Sequence, residues 1–175
     1  SWSGTYTAPP TDHSHDGAYS VQVRQTDIAG NTSSPQTIAF TLDTIAATTN
    51  AVLTTDSTDG GAGHANDGVT NNGAISAPTN AEAGATVEYR VKGPGDSDYG
   101  SWSGTYTAPP TDHSHDGAYS VQVRQTDIAG NTSSPQTIAF TLDTIASGAT
   151  NAVLTTDSTD GRAGHASDGV TNNGA

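Results

Sequence analysis

The chain has 175 residues and a net charge of −13, from 18 acidic and five basic side chains. This balance argues against binding to nucleic acid or to anionic membrane surfaces, because both repel a strongly acidic protein. The sequence has no cysteine, which excludes disulfide bonds and zinc–thiolate sites, and no apolar run approaches the roughly 20 residues of a membrane-spanning helix.

The sequence repeats itself with a period of about 100 residues. Residues 1–46 recur without change at 101–146, and residues 49–74 recur at 150–175 with two substitutions. The period changes from 100 to 101 between the two blocks, and such an insertion is tolerated best in a linker. A fixed period indicates an array, and a period this long is typical of separate domains rather than of a solenoid.

The inserted residue places the predicted domain junctions near residues 44–50 and 144–150. The chain is therefore expected to be a piece of a longer array that contains one complete repeat. The predicted domains are the C-terminal part of one repeat at 1–46, the complete repeat at 47–146 and the N-terminal part of the next repeat at 147–175.

The predicted elements of the complete repeat are all strands. In chain order they are AVLTT (51–55), AISAPT (74–79), TVEYRVK (86–92), SWSGTYTA (101–108), AYSVQVRQTD (118–127) and TIAFTLD (137–143). The third, fifth and sixth alternate apolar and polar residues, which is typical of half-buried strands. Short strands separated by turn residues predict an all-β fold, an antiparallel sandwich of two sheets.

The aromatic residues of these strands are predicted to be buried. Tyr89, Trp102, Tyr106 and Tyr119 are expected to pack against the opposite sheet. Tyr99 and Trp102, which flank a glycine-rich turn, suggest an alternative in which a surface patch stacks against sugars.

Four motifs of the complete repeat occur in a fixed order. They are NDGVTNNG (66–73), NAEAGATVEY (80–89), TDIAGNTS (126–133) and LDT (142–144). Together they resemble the bacterial immunoglobulin-like repeats of giant surface adhesins, the calcium-dependent adhesins of the RTX type. The resemblance implies a seven-strand sandwich, a tandem arrangement in a long secreted or surface-anchored protein, and calcium at or near the domain junctions.

The acidic loops contain the predicted calcium ligands, since calcium takes about six to eight oxygens from carboxylates, amides and carbonyls. In the implied topology, loop 56–73 and Asp143 lie at the C-terminal pole of a repeat, and the turn from Asp127 to Asn131 lies at the N-terminal pole. In a head-to-tail array, the first pole faces the second. The predicted ligands are Asp27, Asn31, Asp43, Asp56, Asp59, Asp67, Asp127, Asn131, Asp143, Asp157, Asp160 and Asp168.

Two observations bear on these loops. Asp and Asn also favour turns, so the loops have an alternative explanation without metal. However, residues 47–146 carry 11 acidic and three basic side chains, and such repeats repel one another unless cations lie between them. His113 and His115 suggest a transition-metal site with Asp112 or Asp116, or else a solvated loop.

The sequence predicts a structural protein and not an enzyme, because it contains neither a Cys nucleophile nor a Gly-x-Ser-x-Gly motif. The predicted function is that of an extender repeat of a bacterial surface adhesin, stiffened by calcium and joined head-to-tail to identical repeats. Its linker at 45–51 is expected to flex without calcium. The adhesin's own ligand is expected to bind elsewhere in the parent protein. The alternative is a module that binds a glycan or another surface ligand.

Overall fold

The computed structural model describes residues 2–56, 66–146 and 148, so the predicted ligands Asp59, Asp157, Asp160 and Asp168 lie outside the described residues. The chain divides into two units, residues 1–144 and 145–175, and all described strands belong to the first. Among the described residues, no helix has the length and apolar character needed to cross a membrane.

The first unit contains six described strands. They are β1 (Gly17–Val23), β2 (Gln36–Leu42), β3 (Val69–Thr70), β4 (Thr86–Lys92), β5 (Gly117–Thr126) and β6 (Gln136–Leu142). Strands β1 and β2 form an antiparallel pair, and the complete repeat forms a four-stranded sheet in the order β3-β6-β5-β4. Strand β3 runs parallel to β6, and the other neighbours are antiparallel. The predicted all-β fold is confirmed.

The strong alternating patterns predicted β4, β5 and β6 to within one residue. The predicted strands at 51–55, 74–79 and 101–108 are reduced to isolated bridges, between Leu53 and Ile75 and between Ser103 and Tyr89. Pro78 lies in the second of these segments and Gly104 in the third, and proline supplies no ladder donor while glycine supplies no side chain to pack.

The core lies on one face of β5 and β6, where alternate side chains are buried. The buried cluster consists of Ala51, Tyr119, Val121, Val123, Phe140 and Leu142. The partly buried side chains packed against it are Leu53, Ile75, Val87, Tyr89, Val91, Tyr106 and Ile138. Val87, Tyr89 and Val91 belong to β4 and extend the same sheet. Leu53, Ile75 and Tyr106 lie outside that sheet and pack against its buried face, as the second layer of an immunoglobulin-like sandwich does.

The identical residues 1–46 and 101–146 show what the rest of the complete repeat contributes to these strands. Strand β5 continues to Thr126, whereas β1 ends at Val23, because β4 pairs with β5 as far as Thr126. The Val23 side chain is 53% exposed, and that of its counterpart Val123 is 0% exposed. Burial at this position is therefore set by the packing of residues 47–92 and not by local sequence.

Candidate metal centre

The turn TDIAGNTS (126–133) follows β5 and builds the N-terminal pole of the complete repeat. The Asp127 carboxylate accepts hydrogen bonds from the backbone N–H and the side-chain amide of Asn131, at 2.9 and 2.8 Å. Gly130 has a φ of 94°, a conformation that favours glycine. The same turn at 26–33 makes the two corresponding bonds, at 2.8 and 2.9 Å. The turn geometry is therefore a local property of this sequence.

Asp127 is only 7% exposed, but the hydrogen bonds of this turn keep its carboxylate ionised. Burial alone would raise the pKa of Asp127. The hydrogen bonds donated by Asn131 and by the backbone of Gly130 outweigh burial, and they hold the pKa of Asp127 below its ordinary value. At neutral pH, this pole therefore presents a fixed negative charge.

Three carboxylates converge where the two repeats meet. One oxygen from each of Asp43, Glu82 and Asp127 lies within 4.8 Å of the other two. Asp43 follows β2 of the preceding repeat, Glu82 lies in the turn before β4, and Asp127 follows β5. Within residues 2–56 and 66–146, this junction cluster is the acidic group compact enough to share a metal ion.

The chemistry of the junction cluster fits a hard divalent cation. All three side chains donate carboxylate oxygens, which suit calcium and magnesium better than softer transition metals. Three negative charges this close repel one another, and a cation between them relieves that repulsion.

The junction cluster contains two of the predicted ligands, Asp43 and Asp127, and Asn131 bonds to both of them. Asp43 belongs to the first copy of the repeated sequence, and Asp127 and Asn131 belong to the second. Sequence reasoning missed Glu82. The residue type was a signal that could have identified Glu82, because only two of the 18 acids are glutamates. Glu82 also lies within the motif NAEAGATVEY.

Asp56, Asp67 and Asp143 lie at the opposite pole, beside β3. Asp67 accepts a 2.9 Å bond from the N–H of Val69, and the N–H of Asp143 donates to Thr70. Among the described residues, the buried Oδ1 atom of Asp56 has no hydrogen-bond partner, which is costly for a carboxylate oxygen. Among the described residues, these acids do not form a second group of three ligand atoms.

The histidine loop forms a hydrogen-bonded turn. Ser114 Oγ donates to Asp112 Oδ1 at 2.6 Å and lies 2.7 Å from His115 Nδ1. The Ser114 bond is the main reason why the pKa of Asp112 is lowered. The N–H and hydroxyl of Thr144 donate to Asp116, at 3.0 and 2.8 Å. Within the described part of the chain, neither histidine of this loop joins a metal-ligand group.

Trp102 does not join the core, contrary to the prediction. The guanidinium carbons of Arg90 and Arg124 lie 4.6 and 4.1 Å from its ring centroid. Arg90 also lies 4.8 Å from the Tyr99 ring, and Arg124 forms a 2.9 Å ion pair with Glu88. Arg90 and Arg124 alternate with inward-facing residues, so this stack covers the outer face of β4 and β5. The arginines therefore occupy ring surface on which a sugar would stack.

Sequence comparison agrees with this architecture. A family model described as a bacterial Ig-like domain matches residues 1–44 and 46–144. No curated protein matches the chain. Because the two matches cover well over half of the sequence, the chain belongs to the bacterial Ig-like domain family.

Proposed function

We propose that the chain is an extender of a bacterial surface adhesin of the RTX type, in which calcium bound between Ig-like repeats stiffens the array. The observation that carries the proposal is the junction cluster. Asp43 comes from one repeat, whereas Glu82 and Asp127 come from the next. An ion that shares these ligands joins two repeats as well as stabilising one.

The residues of the chain have separate roles in this proposal. Asn131 orients the Asp127 carboxylate with two hydrogen bonds. The Ala47 N–H donates to Glu82 Oε1, which brings that carboxylate to the linker. Bound calcium supplies positive charge, and it offsets the repulsion between repeats that each carry a strongly negative charge.

Secretion would switch the array from its calcium-free to its calcium-bound state. Extracellular modules bind calcium with dissociation constants of about 10⁻⁴–10⁻³ M, so the sites would fill outside the cell. At a concentration of calcium 100-fold above the dissociation constant, one site adds about 2.7 kcal/mol to the free energy of unfolding. The proposed role is structural and not catalytic, and identical repeats are the proposed head-to-tail partners.

Isothermal titration calorimetry tests the proposal directly. Calcium is titrated into the chelator-stripped chain and into the variants Glu82→Gln and Glu88→Gln. Glu82→Gln is expected to weaken binding at least tenfold, because it removes a charged ligand. Glu88→Gln is the matched control, since Glu88 pairs with Arg124 away from the junction. Absence of calcium binding by the parent chain, or equal binding by both variants, would contradict the proposal.

A further inference from the structure

The linker with its flanking residues (43–51, including the predicted 45–51) packs against the rest of the complete repeat. Ala46 and Ala51 are buried. The residues around them are hydrogen-bonded, through backbone or side-chain atoms, to the rest of the complete repeat. These bonds join Asp43 to Asn131, Ala47 to Glu82 and to Gln125, Thr48 to Asn80, and Thr49 to Val123. The linker therefore packs as part of the repeat that follows it.

Gln125 lies at the centre of this docking. Its side-chain Nε2 donates to the carbonyl of Ala47 at 2.7 Å, and its Oε1 accepts from the N–H of Glu82 at 2.9 Å. The Ala47 N–H in turn donates to the Glu82 carboxylate. Ala47, Glu82 and Gln125 thus form a closed triangle that joins the linker, the turn before β4 and the end of β5.

The burial of Gln125 indicates that these bonds matter. The residue is 0% exposed, and a buried amide is tolerated only when its polar atoms are hydrogen-bonded. Both ends of this amide are satisfied by the junction rather than by the sheet of its own strand. An apolar side chain would fill the same space at a lower desolvation cost, but it would not hold the linker.

Gln25 provides an internal comparison, because it has the same neighbours in sequence. Its backbone N–H bonds to Ser33 Oγ at 3.1 Å, just as the Gln125 N–H bonds to Ser133 Oγ at 3.1 Å. This backbone bond is therefore the same at both positions. Gln25, however, is exposed, and among the described residues its side chain has no bond to a linker. The bonds of Gln125 therefore require the linker and the turn before β4 to pack against it, and local sequence alone does not produce them.

We propose that Gln125 is the positioning residue of the junction, which docks the preceding linker and thereby sets the orientation between neighbouring repeats. Gln125 acts through Ala47 and Glu82, and no metal ion is needed for either of its bonds. The proposal goes beyond calcium stiffening: orientation is set by this amide, and a cation at the junction cluster would lock an arrangement that already exists.

Distance measurements between spin labels test the assignment in chelator. The chain has no native cysteine, so labels are placed at Thr37→Cys on β2 and Thr137→Cys on β6, both at exposed positions. The width of the distance distribution of the parent in chelator is the reference for the variants. Gln125→Met, which has a similar shape but no amide, is expected to broaden it at least twofold. Gln25→Met is the matched control and should leave the distribution unchanged.

Two further measurements separate positioning from folding. Amide exchange at Val121 and Val123 shows whether the core of each variant is intact, and Gln125→Asn replaces Gln125→Met if the latter unfolds. In the parent, the Ala47 N–H is expected to exchange at least tenfold more slowly than an unstructured amide. A folded Gln125 variant whose distribution is no broader than that of the parent, or an unprotected Ala47 N–H in the parent, would each overturn the proposal. None of these results depends on calcium, so the two proposals fail separately.

Discussion

The side-chain amide of Asn131 donates to the backbone carbonyl of Asp43 over 3.0 Å and to the Asp127 carboxylate over 2.8 Å. An amide nitrogen carries two hydrogens, so one group serves both bonds. The bond to Asp127 is also made by the equivalent residues of the preceding repeat. The bond to Asp43 is added at the junction. The turn forms locally, and the second hydrogen of the Asn131 amide joins it to the preceding repeat.

Truncating Val123, one of the two buried valines of β5, is expected to destabilise the complete repeat. Val123→Ala removes buried methyl groups and leaves a cavity, and the expected loss in the free energy of unfolding is about 2 kcal/mol. Val23→Ala makes the same change at an exposed position, and a loss below about 0.5 kcal/mol is expected. Urea denaturation measures both. Equal losses would show that the two positions are packed alike.

Gly117 and Gly17 predict a second difference between equivalent positions. Both have positive φ, 139° and 141°, so alanine is strained at either one. A Cβ atom on Gly117 would also lie 2.9 Å from Pro94 Cγ, whereas one on Gly17 would have no neighbour within 4 Å among the described residues.

Gly117→Ala is therefore expected to lower the melting temperature of the chain by more than Gly17→Ala does. The difference reflects the clash alone, because the backbone strain is common to both variants. Thermal denaturation followed by circular dichroism measures it. A larger decrease for Gly17→Ala would contradict the packing of Pro94 on the start of β5.

The acidic turns predict how stability depends on pH. Hydrogen bonds from Asn31 lower the pKa of Asp27, and those from Asn131 and its neighbours outweigh burial to lower the pKa of Asp127. A lowered pKa in the folded state means that stability is present above the ordinary Asp value of about 3.9 and is lost as the pH falls through the folded pKa.

Carboxyl carbon chemical shifts, followed from pH 6 to pH 2, measure these values directly. Both aspartates are expected to titrate below the ordinary pKa. Removing the amide in Asn131→Ala is expected to raise the pKa of Asp127. Titration of Asp127 at or above the ordinary value in the parent would mean that its hydrogen bonds do not outweigh burial.

The sequence patterns predicted the parts of the fold that local periodicity controls. TVEYRVK alternates over its whole length, and it forms β4 at 86–92. The segment at 101–108 has a strand-like composition, but Ser103 alone forms a bridge there. Trp102 was misplaced because its partners Arg90 and Arg124 come from two other segments. Such a stack is a property of the sheet and leaves no local signal.

The junction was predictable only in outline. The repeat indicated that the end of one domain meets the start of the next, and this placed Asp43 near Asp127. The contributions of Glu82 and Gln125 depend on how the linker packs. Gln25 has the same local sequence as Gln125, but its side chain is exposed. No pattern within one repeat distinguishes the two glutamines.

The most direct test of calcium stiffening compares melting temperatures in millimolar calcium and in chelator for the parent, Asp127→Ala and Asp27→Ala. The two substitutions remove the same turn bonds to asparagine, but only Asp127 belongs to the junction cluster. Calcium is predicted to raise the melting temperature of the parent and of Asp27→Ala by several degrees, since about 1 kcal/mol corresponds to roughly 4–8 °C in a domain of this size. The rise is predicted to be much smaller for Asp127→Ala. No rise in the parent, or an equal rise in both variants, would contradict the account.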